Sequence, residues 1–517
     1  MIATEPDVDP AHRRRLLVLA VCCLSLLITV IDATAVNVAL PAVQRDLNAQ
    51  VSGLQWVIDG YTLAIAGFMM LAGSTADRIG RRRVFQAGLA LFTVGSLLCS
   101  RAPGLSWLVA FRVVQGLGAS MLNPVALSII TSTFPDARQR ARAIGVWGAT
   151  VGVSLTLGPV VGGLLVGSAG WRAVFWINIP VGLLALALSA VLISESKAAT
   201  ARRRDPVGQV LVLTVLASLI FAIIEGSHRG YGSALIVGLL VLAAIAAVAL
   251  PLYERRRGQP LVDPVFFRSI PFTGAFITAI TAFLALSGFL FLNTLYLQDV
   301  RGYSALEAGL LTVPMAVGTA IASTVSGRLT ATHGPRPPLV AAGVLVAAGA
   351  LLLTGLSPGT AQPLLLVAYL LFGCGFGLVN APITSMAVAG MPPAQAGVSA
   401  AITTTARQIG NSLGVAVLGS IVTAHARGPL HQGFTSASHL AWWILAGCGA
   451  LIAALGILTT TARATAGAAR IAARFPAPRS VVDAGLVDAG LVDTGLGQAG
   501  ENEVHGLPRG VVRRIQP

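Results

Sequence analysis

The sequence predicts an all-α protein that crosses a membrane many times, and three observations lead there. Of 517 residues, 55% are apolar and 11% charged, and the mean hydropathy is +0.79; a soluble surface needs roughly a quarter to a third of charged residues. Fourteen apolar segments each approach the ~20 residues that the hydrocarbon core requires. A seven-residue glycine spacing, Gly73 to Gly80, recurs at Gly327 to Gly334, each time at the end of a long apolar run. Because lipid leaves unpaired backbone unsatisfied, the segments are read as helices. The recurrence makes one half of the chain a worn copy of the other.

The segments begin near residues 16, 53, 84, 105, 142, 172, 207, 232, 271, 304, 338, 362, 397 and 439. Span one follows His12, Arg13, Arg14 and Arg15 and looks at first like a secretory signal, with Ala33-Thr34-Ala35 as its cleavage site. It is too long for that, carries Asp32 and continues apolar, so it reads as an uncleaved helix. Between spans two and three, Arg78, Arg81, Arg82 and Arg83 stand against the lone Asp77 in a tight, strongly cationic turn, which belongs on the cytoplasmic side. Spans seven and eight, about 207–225 and 232–252, fall between two blocks whose turns correspond. The predicted organisation is therefore six plus two plus six: a cytoplasmic N-terminus (1–15), a six-helix bundle (16–195), a linker with two extra spans (196–260), a second six-helix bundle (261–464) and a tail (465–517). The tail repeats Val-Asp-Ala-Gly-Leu and reads as disordered.

Charge tests that count. With both termini inside, 27 of the 35 Lys and Arg fall on inside segments and six outside (Arg45, Arg101, Arg172, Arg229, Arg301, Arg427), while Arg112 and Arg407 lie within spans. An imbalance of that size follows the positive-inside rule, and an odd number of spans would scramble it. The formal net charge of +15 is therefore topological rather than a nucleic-acid footprint. All five cysteines lie inside apolar runs without ligand spacing, so neither disulfide framework nor metal site is expected.

The informative residues are the charges kept in the hydrocarbon, where each costs at least about 2.5 to 3.5 kcal/mol and so needs a partner or a task. Asp32, Asp59, Arg112 and Arg407 qualify. At 1.5 Å per residue, the first three share a layer roughly 9 to 12 Å below the outer surface. Ser25, Thr29 and Asp32 form a polar stripe on one face of span one. A carboxylate that meets a movable cation can be shifted between charged and neutral forms, as a proton carrier requires; the alternative is static pairing of Asp32 or Asp59 with Arg112. Arg407, roughly 15 Å deep, has three readings: an anionic substrate, a carbonyl partner, or support for Asn411. Glu225 reads as an interfacial charge.

Several phrases carry a family resemblance. Gly73, Asp77, Arg78, Gly80 and Arg81 look like the signature between the second and third spans of the major facilitator superfamily, and the count of fourteen resembles its drug:proton antiporter branch. Ile31-Asp32-Ala33-Thr34-Ala35-Val36-Asn37 resembles that branch's first-span signature. Phe111-Arg112-Val113-Val114-Gln115-Gly116 is similar to its fourth-span motif, whose arginine is assigned to proton transfer. Gly148 to Gly152, and Gly158-Pro159 with Gly162-Gly163, resemble the fifth-span motif of exporters; four-residue glycine spacing allows close helix approach, and Pro159 removes a backbone hydrogen bond. Arg407-Gln408-Ile409-Gly410-Asn411-Ser412-Leu413-Gly414 matches a later phrase of the same branch. Trp56 to Tyr61 and Ala222 to Gly226 look like antibiotic self-resistance exporters of actinobacteria.

The resemblance implies the major facilitator fold, proton coupling through Asp32, Arg112 and Asp59, a cytoplasmic latch in which Asp77 meets the neighbouring bundle, and cavity positions at Gln115, Arg407, Gln408 and Asn411. The implied function is proton-coupled antiport of drugs or antibiotics out of the cell, by a monomer in the cytoplasmic membrane, with a small organic substrate and protons as partners and no cofactor. A proton-coupled metabolite importer and a non-transporting sensor are the alternatives. Enzyme signals fail: Gly355-Leu356-Ser357-Pro358-Gly359 fits a nucleophile-elbow pattern, but Pro358 has no N–H for an oxyanion. Neither a Walker A sequence nor His-Glu-x-x-His occurs.

Overall fold

The computed structural model describes residues 10–198, 205–257, 264–389, 393–426 and 430–472, and among these all regular structure is helical. Apolar runs without breakers give α1 (Pro10–Leu47), α2 (Val51–Ile79), α3 (Arg81–Ser100), α4 (Leu105–Thr133) and α5 (Ala137–Ala169), the last started by Asp136, whose carboxylate accepts from Gln139 N–H at 2.8 Å. The next span is broken into α6 (Ala173–Trp176) and α7 (Asn178–Leu192). Two further helices follow, α8 (Pro206–Arg229), capped by Asp205, and α9 (Ala234–Glu254). The second half comprises α10 (Ile270–Leu295) with a π turn at Tyr296–Val300, α11 (Ala305–Leu311), α12 (Val313–His333), α13 (Arg336–Leu352), α14 (Gln362–Val388), α15 (Pro393–His425) and α16 (Leu430–Leu458). A short α17 (Ala462–Ala472) makes the first residues of the expected disordered tail helical; 473–517 lie outside the described residues.

Fourteen crossings were expected, and among the described residues twelve helices are long and apolar enough for one. Of the remaining two, α13 has 17 residues, near the lower limit for a span. The other, α15, is long, but Thr403, Thr404, Thr405, Arg407, Gln408, Asn411 and Ser412 make its middle polar.

Glycine does specific work at the corresponding turns. Gly80 alone joins α2 to α3, with φ at 126°, and Gly334 ends α12 with φ at 78°. Both values suit glycine and strain other residues. A side chain at Gly80 would also collide with the Glu195 carboxylate, 2.4 Å from an ideal Cβ. That carboxylate accepts from Arg82 N–H at 3.1 Å, capping the start of α3.

Helices α1 to α7 pack on one another as a first group, through α1 on α5, α2 on α4, and α3 on α4 and α7; α10 to α16 form a second, through α10 on α15, α12 on α14, and α13 on α14 and α16. The groups meet where α2 packs on α15, α5 on α11 and α12, and α1 on α10. Helix α8 packs against both α2 and α15. Its Glu225 accepts from the Trp56 indole at 3.1 Å while pairing with Arg229, so it fastens α8 to α2. Helix α9 packs on α8 and leaves Val237, Val241, Ile245 and Val248 exposed, as a lipid-facing helix does.

Candidate functional site

The charge inside the first group gathers on Arg112 of α4. Its Nη1 donates to Asp32 Oδ2 at 2.6 Å and to Gln115 Oε1 at 2.7 Å, and its Nε to the Val57 carbonyl at 3.1 Å. The guanidinium carbon lies 4.0 Å from the Tyr61 ring centroid. Asp32 Oδ1 accepts from Gln115 Nε2 and from Asn178 Nδ2, each at 2.8 Å, and Gln115 Nε2 also reaches Ser96 Oγ at 2.8 Å. Asp32 and Arg112 are 0% and 1% exposed. Both carboxylate oxygens have donors, so the cluster is a satisfied network tying α1, α2, α3, α4 and α7 together. The predicted layer is thus only partly assembled: Asp32 and Arg112 meet, and Asp59 does not join them.

Asp59 sits instead at the seam where α2 meets α15. Its Oδ1 accepts from Ser412 Oγ of the opposite group at 2.9 Å and from Thr62 Oγ1 at 3.3 Å, and the two hydroxyls are themselves 2.9 Å apart. Its Oδ2 is buried without a hydrogen-bond partner, and among the described residues no cation pairs with it. An ionised carboxylate in that position has nothing to balance it, which sets Asp59 apart from Asp32.

Around Asp59 the groups are sealed. Gln55 Nε2 donates to the carbonyls of Val415 and Ala416 at 3.0 and 2.9 Å, and Gln298, carried inward by the π turn, donates to the Val38 carbonyl at 2.8 Å. Among the described residues, every hydrogen bond between the groups lies in the half of the helices where α1 ends and α2 begins, the arginine-poor end. The fifth-span glycines follow the same gradient. Gly158 and Gly162 face Thr34 and Ala35 of α1, whereas Gly163 meets α11 across the seam, 2.6 Å from an ideal Cβ to the Ala305 carbonyl. Gly309 of α11 approaches the Pro159 carbonyl in return. Further along α5, Gly152 has only Ala320 at 3.9 Å, and Gly148 and Gly145 have nothing within 4 Å, so α5 and α12 part toward the arginine-rich end. The α5 helix runs through Pro159 without interruption.

The turn signature stays within its own group. Asp77 pairs with Arg81 at 3.1 Å, its carbonyl accepts from Ala198 N–H, Arg78 is exposed, and a side chain at Gly73 would meet only Pro124. On α15, Asn411 Nδ2 donates to Gln408 Oε1 at 3.2 Å, and Arg407 reaches Thr384 rather than Asn411 or a backbone carbonyl. Sequence reading missed Ser96, Asn178 and Glu195, and it quoted Tyr61 and Ser412 within family phrases without giving either a role. Asn178 had a signal: an amide inside an apolar run is costly for the same reason as a charge.

The Major Facilitator Superfamily pattern matches residues 22–415. Multidrug resistance protein Stp of Mycobacterium tuberculosis is 39% identical over 413 residues, 80% of this chain and 77% of Stp. Puromycin resistance protein pur8 of Streptomyces alboniger is 37% identical over 441 residues, 84% of this chain and 88% of its own. Among solved structures, a bacterial homolog of the human lysosomal transporter Spinster, inward-facing and unoccupied, superposes with a TM-score of 0.62 at 19% identity, covering 90% of this chain and 99% of that one. A matched family pattern over most of the length, two paired helical groups and resistance exporters as relatives make this chain a transporter of the major facilitator superfamily.

Proposed function

We propose that the protein is a proton-coupled antiporter that exports drugs, antibiotics or related small organic compounds across the cytoplasmic membrane. The relatives' names supply the substrate class, and Asp59 supplies the coupling: it is a carboxylate without a cation, buried between the two groups and held by a hydroxyl from each side. A proton on Asp59 lets the seam close over it without a buried charge, and loss of that proton inward favours parting the seam. If the arginine-rich end is cytoplasmic, the present arrangement is open inward. Parting the seam carries substrate out, a proton from outside then resets the seam, and one turn exchanges substrate for proton. Asp32 and Arg112 form the fixed frame that holds α2 within the first group while the second group moves against it, and the Asp77 turn latches the arginine-rich end when that end closes.

An Asp59→Asn protein in everted vesicles is expected to lose pH-driven ethidium uptake while still exchanging ethidium down its own gradient. Full pH-driven accumulation by that variant excludes Asp59 from coupling. Wild-type uptake that a protonophore does not abolish removes proton antiport itself, and proton-driven movement in the opposite sense favours the importer. The fourteen-span, six-plus-two-plus-six arrangement with both termini inside has its own check, centred on α13. Alkaline phosphatase fused after Gly355 is expected to be active and after Gly334 silent; equal activities mean that α13 does not cross.

A further inference from the structure

Arg407 is a half-buried cation that pairs with no anion among the described residues. It lies more than about 20 Å from either end of α15, by the helical rise. The chain from Pro264 to Ala472 contains two acidic residues, Asp299 and Glu307. Both belong to the arginine-poor end: Asp299 in the π turn, Glu307 capping α11 through Ser304. Arg407 instead donates from Nη2 to Thr384 Oγ1 at 3.2 Å, its guanidinium carbon stands 5.6 Å from the Phe283 ring centroid, and its Nε is buried with no acceptor. A neutral hydroxyl and a distant aromatic face do not balance a full charge in a low-dielectric site. The contrast with Arg112, which has a carboxylate, an amide oxygen and a carbonyl, is direct.

We propose that Arg407 is a substrate-binding residue that takes an oxyanion, a carboxylate or phenolate, on an aromatic framework. Three features suit that ligand. The guanidinium retains an uncommitted N–H edge, and planar oxyanions accept from such an edge with charge-assisted hydrogen bonds. Thr384 is exposed on α14, so the group is reachable, and at mid-depth an unpaired guanidinium belongs in the space between the groups rather than against lipid. Beside it the half-buried Phe283 offers an apolar face for the ligand's rings, and the buried Phe376 backs it edge to face, with centroids 5.2 Å apart at 74°.

This inference rests on the exporter reading for its biological meaning, but binding tests it separately from transport. The probes are fluorescein and rhodamine 123, which share a xanthene framework and carry opposite charge near neutral pH. Full-length protein in nanodiscs is titrated with each dye, using fluorescence anisotropy. Wild type is expected to bind fluorescein, and Arg407→Gln to weaken it by about tenfold or more while leaving rhodamine 123 within about twofold. Arg407→Lys, which keeps the charge but not the planar N–H edge, is expected to bind fluorescein with an affinity between those of wild type and Arg407→Gln. The proposal is overturned if wild type does not bind fluorescein, if Arg407→Gln binds it unchanged, or if both dyes weaken equally in a variant with wild-type thermal unfolding. Failure of the proton-coupled transport assay with fluorescein binding intact rejects the exporter mechanism and leaves the anion site standing.

Discussion

Arg112→Met is expected to cost about 3 to 5 kcal/mol of stability, the penalty of leaving a buried charge without its partner. Methionine fills much of the volume, but Asp32 Oδ2 loses its 2.6 Å donor and the Val57 carbonyl loses its own. Asp32→Asn is expected to be milder. Arg112 then still has the Val57 carbonyl, Gln115 Oε1 and the Tyr61 face, and an asparagine oxygen remains to accept. The double variant should be less damaged than the sum of the singles, with a coupling of roughly 1 to 3 kcal/mol. Thermal unfolding of the purified proteins in detergent gives the order. The family motif assigns this arginine to proton transfer, and the same variants decide between that role and the fixed frame. An Asp32→Asn protein as stable as wild type that has lost pH-driven efflux makes Asp32 a proton carrier and reverses the roles assigned to Asp32 and Asp59.

What could be read from the sequence follows from which interactions are local. Hydropathy and glycine spacing placed the helices because a span's length and a turn's conformation are properties of consecutive residues. Asp32 and Arg112 were found because burying charge is expensive wherever it occurs, and 1.5 Å per residue placed them at similar depth. Azimuth was not legible. Asp59 shares their depth, but its position around α2 directs it to Ser412 on another group, and depth alone does not distinguish those directions. The partners that settle each role, Asn178 for Asp32 and Ser412 for Asp59, come from segments 146 and 353 residues away. Glu195 was invisible for the same reason: Gly80 announces a tight turn, but not the carboxylate 115 residues later that occupies the space beside it.

Two adjacent glycines in α5 should respond differently to the same change, and the second gives the larger functional effect. Gly162→Val pushes on Ala35 of α1, inside the first group, where an ideal Cβ is already 2.8 Å from Ala35. Its cost is overpacking, about 1 to 3 kcal/mol, and it is paid in stability. Gly163→Val pushes on the Ala305 carbonyl and Leu306 of the second group, at 2.6 and 2.7 Å. In the proposed cycle that contact exists only while the seam is shut, so the same 1 to 3 kcal/mol acts on the balance between conformations and shifts it by roughly 5- to 150-fold toward the parted seam. Export should fall by a comparable factor, because the transporter no longer resets, while thermal stability stays near wild type. Spin labels on Val38Cys and Gln298Cys, whose parent residues share a 2.8 Å hydrogen bond across the seam, report the opening directly. A longer distance in Gly163→Val and an unchanged one in Gly162→Val locate the moving surface between α5 and α11. Equal distances in both, with equal loss of stability, would mean that the two groups do not part at this seam and that the alternating motion runs elsewhere.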